Sequence, residues 1–376
     1  MDSLTAIDRS ESETNNLSAK TLASDDSGNC GNDVTYSFVA ATGTLTISGF
    51  GEMSNYKLIS NDSSSYTSAP WNSYKNSITS VIIENGVTSL GMCSFFGCTC
   101  LTSVSIPNSI TLIGGRAFEK CSRLISIAIP DSVTEIGAYS FDGCSKLTFV
   151  NIPNSVTKIG FYTFWGCNLS SVNIPNSVTE IGNFAFSDCS NLTSVLYKGI
   201  YDPGASSTGV FENCNKLNEV KVPINYNSDT FCDKNASKCL VFGQCGPNAD
   251  WLFDECDNSL TISGYSDMNG FSQDNLPWNS YKNPIASVKI EDGLTSICNS
   301  AFNGCCNLIS VSISDSVTSI AYSAFANCEN LNSVTIGNSA TSIGESAFHN
   351  CHKLKQVNIP DSVFSIDKNT RKFDKK

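Results

Sequence analysis

LTSVSIPNSITLIGGRAFEKCSR (101–123) runs straight into LISIAIPDSVTEIGAYSFDGCSK (124–146), and LSSVNIPNSVTEIGNFAFSDCSN (169–191) repeats the cassette further along. A period of about 23 residues is too short to enclose a core of its own. It marks a solenoid, in which each unit covers its apolar edge with its neighbours. Within one copy Leu101, Val104 and Ile106 follow an L-x-x-L-x-L spacing. Alternation with a period of two turns Val104 and Ile106 inward and Ser103 and Ser105 outward. Pro107 closes this strand because it has no N–H to give a ladder. Ile110 and Ile113 carry a second extended piece, and Ala117, Cys121 and Leu124 recur at the spacing of a short helical turn packed on the core. Strands of successive copies are expected to pair in parallel, about 4.8 Å apart, as one face of the chain.

Aligning the copies exposes columns of single residue types. Phe95, Phe118, Phe141, Phe164, Phe186, Phe211, Phe302, Phe325 and Phe348 each precede a cysteine by three positions: Cys98, Cys121, Cys144, Cys167, Cys189, Cys214, Cys305, Cys328 and Cys351. Another column holds Leu90, Ile113, Ile136, Ile159, Ile181, Ile297, Ile320 and Ile343. Glycine follows it at Gly91, Gly114, Gly137, Gly160, Gly182 and Gly344. A tight turn with positive φ is expected there, and Cys298 and Ala321 interrupt it in the second half.

On these residues the chain resembles the leucine-rich repeats of the BspA-like surface antigen family, over roughly 78–191 and 285–366, with a degenerate stretch at 192–233. The resemblance implies a non-catalytic, surface-exposed adhesion protein that binds host extracellular-matrix proteins or other cells, without a cofactor.

The whole arrangement occurs twice. CGNDVTYSFVAATGTLTISGFGEM (30–53) matches CGPNADWLFDECDNSLTISGYSDM (245–268), and PWNSYKNSITSVIIENGVTSL (70–90) matches PWNSYKNPIASVKIEDGLTSI (277–297). Thr42-Gly43 and Asp257-Asn258 sit between alternating apolar runs, so each copy reads as a β-hairpin. Hairpin and Pro-Trp segment together suit an N-terminal cap, with Trp71 and Trp278 as plugs for the first repeat's open core. The expected division is a disordered polar N-terminus (1–29), a cap (30–77) and repeats (78–233). A linker with the second cap (234–284), repeats (285–366) and a basic tail (367–376) complete it.

Only 15% of residues are charged, well under the usual quarter, and the net charge is −12, which argues against nucleic acid as a partner. Residues 1–29 lack an apolar h-region, so no secretory signal is visible, and no run is long and apolar enough to span a membrane. Half of the eighteen cysteines belong to the repeat column, where neighbouring Cβ atoms about 4.8 Å apart with parallel vectors suit buried thiols better than disulfides. Cys232–Cys239 and Cys245–Cys256 remain open as local pairs. No C-x-x-C pairs are spaced for zinc, so no metal site is expected.

The two histidines, His349 and His352, lie in the last repeat, a poor place for nucleophilic catalysis, and no catalytic residues are assigned. Glu135, Lys158 and Glu180 share a column and read as a charge ladder. Tyr139, Tyr162 and Phe184 share another, where stacking between neighbours competes with recognition.

The candidate binding surface is the outward strand face: Ser103, Ser105, Ser126, Ala128, Phe149, Asn151, Ser171 and Asn173, continuing as Ser310, Ser312, Ser333 and Thr335. It is small, polar and nearly uncharged, and Phe149 is its aromatic anchor. The reading is a cell-surface or extracellular protein that recognises protein partners through this face. An intracellular interaction scaffold is the alternative, favoured by the missing signal and the many thiols. A hydrolase ranks below both.

Overall fold

The computed structural model describes residues 24–61, 64–268 and 275–366. They fall into two compact units, residues 1–150 with 161–168, and 151–160 with 169–376. The basic tail at 367–376 and most of the polar N-terminus, 1–23, lie outside the described residues.

In the first unit a five-stranded sheet runs Asp26–Asn29, Val34–Val39, Thr44–Gly49, Ser80–Ile83 and Ser103–Ser105. The first three strands are antiparallel and form the expected hairpin around Gly43; from Thr44–Gly49 onward pairing is parallel, with Val81 beside both Leu45 and Val104. Asp26–Asn29 therefore belong to the sheet, which corrects the expectation of disorder up to residue 29. A second wall consists of Gly51–Glu52, Val87–Leu90, Leu112–Ile113 and Glu135–Ile136, in register so that Leu90, Ile113 and Ile136 stand side by side.

Between the walls each repeat crosses by short turns of 3-10 type, in which Cys98 N–H reaches Phe95 O at 3.2 Å and Leu101 N–H reaches Cys98 O at 3.0 Å. Alternate amides of this crossing donate to the next repeat: Phe95 N to Ala117 O at 2.8 Å, Phe118 N to Ser140 O at 2.8 Å, and Phe141 N to Thr163 O at 2.9 Å. The crossing is thus a third hydrogen-bonded wall, which answers the question of where this segment's backbone groups go.

The expected role of the glycine column is corrected here. The left-handed residues are Cys93, Arg116, Tyr139 and Tyr162, with φ of 56, 59, 59 and 56°, two positions after that column. Gly97, Lys120, Gly143 and Gly166, just before the cysteines, form a second left-handed set. Gly91, Gly114 and Gly137 are needed for another reason: a Cβ there would sit 1.9 Å from Ser54 O, 2.5 Å from Leu90 O and 2.6 Å from Gly115 N. Repeats touch backbone to backbone at this point, so a side chain would push them apart.

The phenylalanine column is the spine of the core. Phe95, Phe118, Phe141 and Phe164 are fully buried and stack in sequence at centroid distances of 5.2, 5.4 and 5.4 Å. Column thiols reach a carbonyl of the preceding repeat: Cys121 Sγ donates to Phe95 O at 3.2 Å and Cys144 Sγ to Phe118 O at 3.2 Å. The cysteine therefore packs as a small apolar group and also adds a second donor to a carbonyl that already accepts a backbone N–H, as Phe95 O does from Cys98.

The second unit is built on one sheet of ten strands. Its path is Ser171–Ile174, Ser194–Tyr197, Glu219–Pro223, Lys234–Gly246, Ala249–Asp254, Ser259–Gly264, Ser287–Ile290, Ser310–Ile313 and Ser333–Thr335, with Thr230–Phe231 beside Lys234–Gly246. The stretch expected as a linker is instead the 13-residue strand Lys234–Gly246. It lies parallel to Glu219–Pro223 and antiparallel to Ala249–Asp254, so the second hairpin is stitched into the preceding repeats. Phe302, Phe325 and Phe348 renew the buried stack beyond it at 5.1 and 5.4 Å.

Candidate recognition surface

Strand alternation puts the expected residues on the outside. In the first unit Ser103, Ser105, Ser126, Ala128 and Phe149 are exposed, while Ile127 and Val150 between them are buried and Val104 is half-buried. Phe149 leaves 56% of its surface in solvent, and Ile82, beside Ser105 in the parallel ladder, leaves 42%. In the second unit Asn151, Ser171, Asn173, Ser312, Ser333 and Thr335 are exposed and Ser310 is half-buried.

The ladder sets Ser310 and Ser312 directly beside Ser333 and Thr335, and Ser171 and Asn173 beside Ser194 and Leu196. It does not bring Asn173 near Ser312, because six strands lie between theirs. Those strands extend the face with residues that the repeat pattern did not reveal: Lys221 in register with Leu196, Phe242 opposite Leu252, and Thr261 beside Lys289. The nine strands of the path span about 38 Å at a spacing of about 4.8 Å. Two-residue alternation in EVKVP (219–223) and ADWLFD (249–254) is the signal that marks them as strands.

The intervening strands also carry charge. Lys221 Nζ lies 2.5 Å from Asp254 Oδ2 and 3.1 Å from Asp257 Oδ2, and Asp254 is only 4% exposed. Lys289 pairs with Glu291 at 3.0 Å. The wall is therefore neutral at its two repeat ends and ionic in the middle.

The other candidates resolve as packing. Tyr139 stacks on Tyr162 at 5.0 Å with rings 2° from parallel, and the Arg116 guanidinium sits 4.0 Å over the Tyr139 ring. Lys158 and Glu180 meet at 3.0 Å as neighbouring rungs. His349 and His352 are both exposed. Burial pushes the Cys98 and Cys305 thiols up to about 12, which keeps these two protonated and unreactive, whereas a hydrogen bond from Cys189 draws the Cys214 thiol down.

All eighteen cysteines are free, and the hairpin register decides which of the others meet. Cys239 lies with Cys256 and Asp254, whereas Cys232 Sγ donates to Asp202 Oδ1 at 3.4 Å. Neither of the local pairs left open by the sequence is the one that the strands bring together.

The repeat pattern has a known counterpart: the family described as BspA type leucine rich repeat region matches in six copies over residues 72–193 and 279–373. The chain belongs to that family. It is thus a leucine-rich-repeat protein of a non-catalytic recognition family, and its role is protein recognition. Among solved structures it is similar to a leucine-rich repeat protein from Eubacterium ventriosum, 20% identical, with 92% of this chain and 94% of that one covered and a TM-score of 0.41. A leucine-rich repeat protein from Bacteroides ovatus is 24% identical, over 90% of this chain and 87% of that one, with a TM-score of 0.35. A leucine rich cell surface protein from Faecalibacterium prausnitzii is 23% identical, over 92% of this chain and 85% of that one, with a TM-score of 0.30. A comparison with curated proteins returned no significant match. Among the described residues, no helix is long and apolar enough to cross a membrane.

Proposed function

We propose that this BspA-type protein is a surface adhesion molecule that binds extracellular-matrix proteins or other cells through the outward sheet face. The observation that carries the reading is the row of small, exposed, hydrogen-bonding side chains, with Phe149 standing out of it at 56% exposure. Such a wall offers donors and acceptors along many strands and one aromatic anchor, so many weak contacts add to a usable affinity. The two hairpin-capped modules, 30–233 and 234–366, act in this reading as two presentations of the same kind of face. The second reading, an intracellular scaffold, is favoured by eighteen unpaired thiols, which oxidising compartments rarely leave free.

Labelling of intact cells with an antibody to the chain separates the two: surface signal supports adhesion, and full recovery from the cytosol without surface signal rejects it. The full chain is then tested on a panel of purified matrix proteins. Phe149→Ala together with Asn151→Ala is expected to weaken binding at least tenfold, a loss of about 1.4 kcal/mol. Unchanged binding to every matrix protein that the wild type recognises would remove the strand face from the mechanism.

A further inference from the structure

At the end of the second hairpin, four polar side chains converge that the proposed adhesion does not use. Cys239 Sγ, a carboxylate oxygen of Asp254 and Cys256 Sγ all lie within 4.8 Å of one another. Ser237 Oγ is 3.3 Å from Cys256 Sγ and 3.8 Å from Cys239 Sγ. Two of the donors are held rigidly: Cys239 and Asp254 are 3% and 4% exposed on paired strands, with Leu240 opposite Asp254. Cys256 is exposed in the turn that follows, and its N–H bonds Asp254 Oδ1 at 3.0 Å.

Two sulfurs and one carboxylate are a donor set for a borderline-soft divalent cation. Tetrahedral zinc, with Zn–S about 2.3 Å, needs its sulfurs about 3.8 Å apart, within the spread seen here. Charge favours the ion as well. Two thiolates and a carboxylate carry three negative charges; zinc offsets two, and the Lys221 ammonium, 2.5 Å from Asp254 Oδ2 and shared with Asp257 at 3.1 Å, offsets part of the third. The first hairpin has nothing equivalent, because Val39 and Ala41 stand where the second has Asp254 and Cys256.

We propose that Cys239, Asp254 and Cys256 bind one zinc ion, with Ser237 or water in the fourth position and Lys221 as the charge behind the carboxylate. On binding, each thiol gives its proton to solvent, two Zn–S bonds form and nothing is oxidised or reduced. The ion ties the turn after Ala249–Asp254 to Lys234–Gly246, the strand that joins the second hairpin to the repeats before it.

The test uses full-length protein, reduced with a phosphine and freed of metal, titrated with zinc against a chromogenic chelator and, separately, with cobalt. One equivalent of zinc, about two protons released, and a thiolate-to-cobalt charge-transfer band are expected. Cys256→Ser should weaken zinc at least about 100-fold, since losing an outer partner alone costs 10–100-fold. Cys239→Ala should do the same through the buried ligand. Cys306→Ser, which removes the other exposed cysteine, should leave the titration unchanged. No stoichiometric binding, equal binding by Cys256→Ser, or loss on Cys306→Ser would each overturn the proposal. So would a Cys239–Cys256 disulfide in the isolated protein whose reduction yields no zinc affinity.

Discussion

The hairpin Val34–Val39 with Thr44–Gly49 and the hairpin Ala249–Asp254 with Ser259–Gly264 share the LTISG strand and the same plug. Trp71 is fully buried, stacks on Phe95 at 5.8 Å and donates its Nε1–H to Ser94 O at 2.7 Å. Trp278 is fully buried, stacks on Phe302 at 5.5 Å and donates to Ala301 O at 3.1 Å. They differ in what lies on the far side. Among the described residues, outside the first hairpin lies Asp26–Asn29, a short edge of small and polar residues (DSGN). Outside the second is Lys234–Gly246, which pairs in parallel with Glu219–Pro223 and so carries the sheet onward. One cassette thus serves as a terminus or as a splice, and the choice lies in a single flanking strand.

The sharpest way to break this comparison is to empty both plugs. Trp71→Ala and Trp278→Ala should each cost about 3–5 kcal/mol through the cavity left behind. Their spread should differ. Hydrogen exchange in Trp71→Ala should accelerate only from the hairpin to the first repeat, whereas in Trp278→Ala it should accelerate on both sides of the splice. Equal, local acceleration in both would mean that Lys234–Gly246 does not couple its neighbours. A smaller effect comes from Gly49→Ala and Gly264→Ala, at φ of 117 and 137°, where a Cβ would lie 2.1 Å from Asp33 O and 2.0 Å from Asn248 O. Each should lose about 2–3 kcal/mol in urea unfolding, and the two losses should match. A much milder loss at Gly264 would show that the splice can relax where the terminus cannot.

The stacked columns, the hairpins and the tryptophan plugs were legible because they rest on local spacing, which repeats in the sequence as it repeats in space. Gly114 was assigned the wrong duty because its constraint, the carbonyl of Leu90, belongs to the neighbouring repeat and has no local signature. The strand Lys234–Gly246 was hidden because KNASKCLVFGQCG lacks clean alternation, and a register shift where Pro223 meets Leu240 further blurs it. The meeting of Cys239 with Cys256 depends on antiparallel register, with Leu240 opposite Asp254, which pairwise spacing along the chain does not encode. The twelve face residues were readable as outward positions. Of the six strands between Asn173 and Ser312, the second hairpin and Ser287–Ile290 were readable from spacing, whereas Ser194–Tyr197, Glu219–Pro223 and Lys234–Gly246 were not, since they come from the degenerate repeat and the stretch that joins it to the hairpin.

The ionic cluster sharpens the same contrast. Val39, 44% exposed, occupies in the first hairpin the position that buried Asp254 takes in the second. Lys221→Met leaves that carboxylate without its cation and should cost about 1–2 kcal/mol, while Val39→Ala, with no charge to strand, should stay within about 0.5 kcal/mol.

Asp257 supplies the smallest effect and the clearest sign. Its carboxyl is held below the ordinary 3.8: burial works against this, and the Ser259 hydrogen bonds and the Lys221 ammonium outweigh it. A depressed folded value stabilises above the unfolded one and is lost as pH falls through the folded one. Asp257→Asn should therefore be less stable than wild type by about a few tenths of a kcal/mol at pH 6, after solvent screening. The gap should close as pH falls through the depressed folded value, below the ordinary carboxylate range, where both forms carry a neutral group. Thr42 holds this position in the first hairpin, so Thr42→Ala should show the same difference from wild type at both pH values. A gap at Asp257 that persists in acid would assign its contribution to the turn's hydrogen bonds to Ser259, and the pairing with Lys221 would then not be what distinguishes the splice from the terminus.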